Sequence, residues 1–513
     1  MRQQRARRRT TALAPIIALV ATLTACSASD ASNEAPDDAT GPEGTLTIGE
    51  NTFPTALDAD VGFAGYTLMA YGIAESLMRV TPDNELVPWV AESVEQVDPL
   101  TLEVTIRDDV TFWDGEKVDA TAVQRSLERS VTEQPGTDTL IPAGTTFAAD
   151  GQVLTITTPE PVGSLSNNLA SFNFTIKKVA DDGSLVYTGP YRYAEFVEQT
   201  SIVLEAYEGH RTPAAVATIE VQMIPDVSAR LLALQAGDID MAYAMLPSLK
   251  PQLEAAGMQI HEYPFGRQND LVFNVNRPPF DDVAVRQAIS LAIDREALVD
   301  GVLAGSGTPA YALAPEDIGL TGLVATQEFD LAEAGEVLDA AGWVEGADGI
   351  RTKDGDRLAF ALGYYTSRAE LEPLATIIRD QLTEIGIEVK LESIADINTA
   401  MAENEFDATL YSYNVAPFGE IDRAIGQLYT PSSTNNERYS NDEVNALFEQ
   451  YRTSLDEAER EDLLRQIQEL IGADVPVVYL VNPNQIVATA PDVTDFTPHF
   501  LENYKIDPAL GIG

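Results

Sequence analysis

The sequence predicts an α/β protein built from at least two lobes. Three observations carry this expectation. The chain has 513 residues, too many for one small domain. A strand–helix–strand order recurs along it. Several helical segments carry apolar stripes wide enough to cover a sheet.

Taken in order, residues 216–224 alternate in polarity and stop at Pro225. Asp226 is placed to cap a helix with Ala229, Leu232, Ala233 and Ala236 as its apolar face and Gly237 as its stop. Residues 239–243 read as the next strand. A helix is predicted over 283–303, with Val285, Ala288, Ile289, Ala292, Val299 and Val302 at helical spacing and Asp281 or Asp282 at its start. The strand–helix–strand order returns at 358–365, 370–385 and 387–391, with Gly386 ending the helix. A last helix carries Leu463, Leu464, Ile467, Leu470 and Ile471 and is expected to end at Gly472. Such units imply parallel or mixed sheets covered by helices. A cleft between lobes is the expected place for a ligand.

Apolar residues at 45%, aromatic at 7% and charged at 22% describe an ordinary globular composition with a sizeable core. The charge balance is different. Against 32 Lys and Arg stand 81 Asp and Glu, a formal net charge of −49. Such a solvated acidic surface repels nucleic acid and anionic headgroups. The single cysteine, Cys26, rules out an intramolecular disulfide. His210, His261 and His499 have no histidine three to five residues away, which argues against a Cys/His metal cage; no resident metal or cofactor is expected.

The N-terminus supplies an address. Arg2, Arg5, Arg7, Arg8 and Arg9 precede a short apolar run over 12–24, as in a secretory signal peptide. The run ends Leu23-Thr24-Ala25-Cys26, which resembles the lipobox of bacterial lipoproteins. That resemblance implies removal of residues 1–25 and lipidation of Cys26. Residues 26–44 are small, polar and acidic, and read as a flexible tether. The expected location is the extracytoplasmic face of a bacterial cell membrane, held by lipid.

An ordered set of segments resembles the peptide/nickel family of extracytoplasmic solute-binding proteins of ABC importers. Pro88-Trp89-Val90-Ala91-Glu92-Ser93 is similar to the family's Pro-x-Leu-Ala-Glu-Ser. Residues 106–115, with Arg107, Val110, Phe112, Asp114 and Gly115, resemble its Leu-Arg-x-x-Val-x-Phe-x-Asp-Gly. Thr188-Gly189-Pro190-Tyr191 and Gly237-Asp238-Ile239-Asp240 match in turn. Phe273-Asn274-Val275-Asn276, Pro279-Phe280, Val285-Arg286-Gln287-Ala288-Ile289, Ala292-Ile293-Asp294-Arg295 and the helix ending Ala341-Gly342-Trp343 complete the set.

The resemblance implies a two-lobed type II periplasmic-binding-protein fold of the large cluster C type, with mixed sheets and a hinge. The implied lobes are 45–268 completed by 484–513, and 269–483. It implies a monomer that captures a peptide or related small solute and delivers it to an importer permease and its ATPase, without catalysis. Gly115 and Gly189 are read as turn residues, and Arg286 as bonded to a carboxylate or carbonyl within its own lobe.

Family sites sit on loops near 57–66, near 171–174 and after a strand at 408–413. Typical peptide binders carry an Asp in the third loop; here Asn414 or Val415 stands near its place. Ala416-Pro417-Phe418 is closer to the nickel-type branch. That branch has an Arg in the second loop and a His after the third, where this chain has Phe172-Asn173 and Ser432-Ser433. The expected ligand-binding residues are Tyr66, Phe172, Asn173, Tyr413, Asn414, Phe418 and Glu420, with Asp422 as a second carboxylate for a cationic ligand. The alternative cargo is nickel or another metal as a chelate or metallophore. The competing class is a secreted hydrolase, against which stand the missing Gly-x-Ser-x-Gly, His-Glu-x-x-His and P-loop patterns. A third class is a signalling or chaperone-like relative without an importer.

Overall fold

The computed structural model describes residues 42–51, 53–54, 56–134, 136–320, 322–431 and 439–513. The expected signal peptide, Cys26, nearly all of the expected tether, and Ser432-Ser433 lie outside the described residues. Two large mixed sheets organise the rest. The first has seven strands, in the order Tyr191–Val197, Ser201–Ala206, Thr218–Met223, Thr45–Glu50, Met241–Ala242, Gln485–Thr489, Gln259–Tyr263. The second has six: Gly307–Pro309, Val477–Pro483, Arg267–Phe273, Ala408–Asn414, Ala359–Tyr364, Glu388–Ser393. A four-stranded antiparallel sheet, built from Ala91–Asp98, Thr101–Ile106, Val153–Thr157 and Thr146–Asp150, extends the first lobe.

Both predicted strand–helix–strand units form. Ala359–Tyr364 and Glu388–Ser393 pair in parallel, joined by the helix Leu371–Glu384 and the left-handed Gly386. Thr218–Met223 and Met241–Ala242 lie parallel to Thr45–Glu50, one on each side of it. Between them runs the helix Val227–Ala236. The Asp226 carboxylate accepts from Ala229 N at 2.8 Å, and Gly237 closes the helix at φ +74°.

The buried face of that helix differs from the expected one. Leu231 and Leu234 face the core, whereas Leu232 is 65% exposed. Arg230 is buried as well, because its guanidinium satisfies the carbonyls of Ile224, Pro225 and Ala244 at 2.6, 3.0 and 2.9 Å. Those charge-assisted bonds fix the helix rotation more firmly than the alanine stripe does.

Two other helices depart from the periodicity. The segment 283–303 is not one helix: Val283–Ala292 stops at Ile293, whose backbone is extended, and Asp294 starts a new turn by accepting from Ala297 N. The break lets Arg295, fully buried, donate to the carbonyls of Tyr479 and Ser290 at 2.7 and 3.1 Å. The C-terminal helix, Glu457–Asp474, runs through Gly472 and ends at Val475, which is left-handed at φ +44°. Arg286 holds that terminus from its own lobe, donating to Asp474 O at 3.0 Å, Val475 O at 3.1 Å and Phe280 O at 2.6 Å. Gly115 is a left-handed turn residue. Gly189 is required for close approach instead, since a Cβ there would lie 2.3 Å from Gly72 O.

The chain passes between the two large sheets at two neighbouring places, from Gln259–Tyr263 to Arg267–Phe273 and from Val477–Pro483 to Gln485–Thr489. Each lobe has its own apolar cluster. A further cluster crosses the boundary, joining Phe112, Leu154 and Phe172 to Phe418, Ile425 and Ile467. The facing surfaces of the lobes are therefore in contact. Among the described residues no helix is long and apolar enough to cross a membrane.

Candidate functional site

The site is assembled where three loops meet between the lobes. Tyr66 lies on the short helix Ala64–Ala70 and Phe172 on the turn Phe172–Phe174. Gly65 permits their approach, because a Cβ there would lie 2.5 Å from Phe172 O. The Tyr66 ring meets Phe172 edge-on with centroids 5.5 Å apart, and Phe172 meets Phe418 at 6.1 Å. Three expected site residues thus form one aromatic chain from the first lobe to the second. Two first-lobe amides hold the loop that carries Phe418: Asn167 Nδ2 donates to Phe418 O at 3.2 Å, and Asn84 Nδ2 to Gly419 O at 3.3 Å.

Below the aromatic chain is an ionic node. Tyr66 Oη and Arg267 Nη2 both donate to Glu502 Oε2, each at 2.6 Å. Arg267 also donates through Nη1 to Ser412 O at 3.1 Å. Burial alone would raise the Glu502 carboxyl, but the charges of Arg267, Arg368 and Lys505 hold it well below the usual carboxylate range. Burial and the neighbouring Glu502 push the Tyr66 phenol far up, so it remains a donor.

The other expected residues fall around this group. Tyr413 packs against Tyr411, centroids 4.6 Å apart, on the strand Ala408–Asn414. Asn414 ends that strand opposite Arg267, and its Oδ1 is buried without a donor. The Asn173 oxygen is turned into the first lobe, where Gln134 Nε2 donates to it at 3.0 Å. Glu420 is committed elsewhere: Arg460 Nη2 donates to it at 2.7 Å and Tyr451 Oη at 3.2 Å. Burial, with Asp422 adding to it, raises the Glu420 carboxyl to about 7 against the pull of Arg460. Glu420 therefore does not stand with Tyr66, Phe172 and Phe418 as an open carboxylate.

Sequence reasoning missed four residues: Arg267, Arg368, Arg423 and Glu502. One signal was available. The strand Arg267–Phe273 opens Arg-Gln-Asn-Asp, and its positions 268–270 are buried, an unusual polar run for a central strand. Arg423 lies with its guanidinium carbon 5.2 Å from the Phe418 ring centroid. Its Nη1 is buried with no hydrogen-bond partner, and burial lowers its pKa with only Asp422 opposing.

Two lobes in contact across an aromatic seam, each with its own mixed sheet and joined by two crossings, define a type II periplasmic-binding-protein fold. The description of bacterial extracellular solute-binding proteins, family 5, matches residues 85–436, and the chain belongs to that family. Proteins of this family bind small ligands outside the cytoplasm and work with the permease and ATPase of ABC importers.

Two curated relatives span most of the chain. The nickel-binding protein NikA of Staphylococcus aureus is 25% identical over 445 residues, 85% of this chain and 87% of the relative. The oligopeptide-binding protein AppA of Bacillus subtilis is 26% identical over 543 residues, 98% of this chain and 97% of the relative. Among solved structures, a nickel ABC transporter protein from Bacillus halodurans is 28% identical with a TM-score of 0.75, covering 91% of this chain and 100% of its own. Staphylococcus aureus NikA in complex with Ni(L-His)2 shares the fold at a TM-score of 0.79 and 23% identity, with the same coverages.

Proposed function

We propose that this protein is an extracytoplasmic, lipid-anchored monomer that captures a peptide or related small solute and hands it to an ABC importer without catalysis. One observation carries the reading of the cargo. At the seam between the lobes, the buried Arg423 Nη1 lacks an acceptor and the buried Asn414 Oδ1 lacks a donor. A dipolar solute with an anionic group and amide or ammonium hydrogens answers both, and the rings of Phe172 and Phe418 offer it apolar contact. The lobes are taken as 45–268 completed by 484–513, and 269–483, with the crossings near 264–267 and 484 as the hinge. Closure on cargo would report occupancy to the permease, since cargo makes contacts that exist only in the closed state. Anchoring rests on Cys26 and its flanking Leu23-Thr24-Ala25.

The second reading, a metal chelate, is favoured by the nickel-linked relatives. Among the described residues no three His, Cys, Asp or Glu side chains converge as a metal-ligating group. A metal cargo would therefore arrive already chelated, its ligand carboxylate on Arg423.

The test is mass spectrometry of the solute that co-purifies with the protein, followed by thermal-shift titration with peptides, nickel chelates and metallophores. Cargo at a hundred times its Kd is expected to stabilise by about 3 kcal/mol. No shift with any of the three classes removes this reading of the cargo, and turnover of a peptide or sugar removes the non-catalytic assignment.

A further inference from the structure

A second cavity, of about 340 Å³, lies within the first lobe. Its walls come from residues 69–89, Pro190, residues 210–212 and the C-terminal stretch 497–508. None lies between 213 and 496, so the cavity shares no wall with the six-stranded sheet or with Phe418. Protein interiors hold few voids larger than a water molecule, and this space reaches the size of small-ligand pockets.

Its charged groups are unequally committed. Glu75 is fully buried and occupied by Arg211, whose Nη2 and Nη1 donate at 2.7 and 3.1 Å, and by His210 Nε2 at 3.2 Å. Arg79 has no such partner. On the strand Met78–Val80 the two flanking side chains are buried in the core, and alternation turns Arg79 to the other side, along the cavity wall. Among the described residues no carboxylate lies within ion-pair distance of it. Its one recorded contact of this kind is the face of Trp89, with the guanidinium carbon 6.0 Å from the ring centroid.

The rest of the wall is aromatic, apolar or neutral apart from the carboxylate of Asp507, which is not within ion-pair distance of Arg79. Trp89 and Tyr504 lie 6.0 Å apart, and His499 stands 4.6 Å from Tyr504. His499 donates through Nε2 to Val80 O and accepts at Nδ1 from Leu501 N, each at 3.0 Å, an arrangement that needs the neutral ring. Burial lowers its pKa to about 4, in keeping with that tautomer. A free guanidinium bordered by flat rings suits a planar anion: a carboxylate takes the guanidinium fork, and an attached ring lies against Trp89. The acidic surface does not forbid this, because repulsion beyond about 8 Å is largely screened at physiological salt.

We propose that this cavity is a second small-molecule site, separate from the inter-lobe seam, that takes a small aromatic carboxylate with its anionic end on Arg79 and its ring against Trp89. The site does not depend on what cargo the seam holds.

The test is titration of the purified protein with sodium benzoate, followed by calorimetry and by tryptophan fluorescence. Saturable binding of one benzoate per chain is expected, with benzamide, its uncharged analogue, and inorganic phosphate each at least 10-fold weaker. Arg79→Gln should weaken benzoate at least 10-fold and Arg79→Lys by less. Trp89→Phe should remove the fluorescence response, although Trp113 and Trp343 remain. No saturable benzoate binding, equal affinity for benzamide, tighter binding of phosphate, or a response retained in Trp89→Phe would each overturn the proposal. The benzamide and phosphate comparisons use the unaltered protein, so they stand even where a variant fails to fold.

Discussion

Arg267 and Glu502 form a largely buried ion pair at 2.6 Å that ties the hinge end of the first strand of the six-stranded sheet to the C-terminal segment. Tyr66 donates to the same carboxylate oxygen, so one atom collects bonds from two distant residues and joins three parts of the chain. Glu502→Gln leaves a buried guanidinium without its counter-charge. The expected loss is about 3 kcal/mol, read from the urea midpoint. Tyr66→Phe removes one donor to a charged acceptor and is expected to lose about 1.5 kcal/mol. Unchanged midpoints in both variants would mean that the node is not structural.

Phe418 is the second-lobe end of the aromatic chain. Phe418→Ala removes apolar contact that exists only when the lobes meet. The expected result is a larger radius of gyration in small-angle scattering and at least 10-fold weaker cargo binding, with each lobe still folded. A variant that unfolds globally at lower urea, with no change in dimensions beforehand, would place Phe418 in a lobe core instead.

Arg423 lies over the Phe418 ring with its Nη1 buried and without a hydrogen-bond acceptor. Arg423→Gln removes a charge that burial penalises, so the cargo-free protein is expected to gain about 1 kcal/mol. Cargo affinity should fall at least 10-fold, equivalent to about 1.4 kcal/mol. Opposite signs on stability and affinity are the diagnostic result; a loss in both would assign Arg423 a packing role.

Glu75 sets an acid limit. Burial would raise its carboxyl, but the hydrogen bond from His210 and the charge of Arg211 outweigh it and hold the pKa at about 2. Its ordinary value is 4.5, so on acidification the unfolded chain takes the proton first. The contribution is fully present above pH 4.5 and is lost as pH falls toward 2, by about 3 kcal/mol in total. Glu75→Gln should flatten the stability–pH slope within that window and leave the slope near neutrality unchanged. An unaltered slope between pH 4.5 and 2 would show that other carboxylates govern acid unfolding.

The strand–helix–strand units, the Asp226 cap and the Gly237 and Gly386 stops were legible in the sequence because they are local. Each is set by periodicity or by a side chain within a few residues of its target. The break at Ile293, the helix running through Gly472 and the rotation that exposes Leu232 were not legible. In each, a buried arginine reaches carbonyls, and in two cases these lie far along the chain: Arg295 to Tyr479, Arg286 to Asp474. Periodicity treats arginine as a surface residue and so misplaces these elements.

The same division holds at the site. By itself the sequence determined the family resemblance, the two-lobed α/β class, the acidic surface and the three loops that carry Tyr66, Phe172 and Phe418. Only the tertiary structure decided that those three rings touch, that Asn173 turns inward to Gln134, and that Glu420 is held by Arg460. It alone brought together Arg267 and Glu502, and left Arg423 Nη1 without an acceptor. The physical reason is that a charge's role depends on which opposite charge folding places within about 4 Å, and sequence separation carries almost no information about that distance.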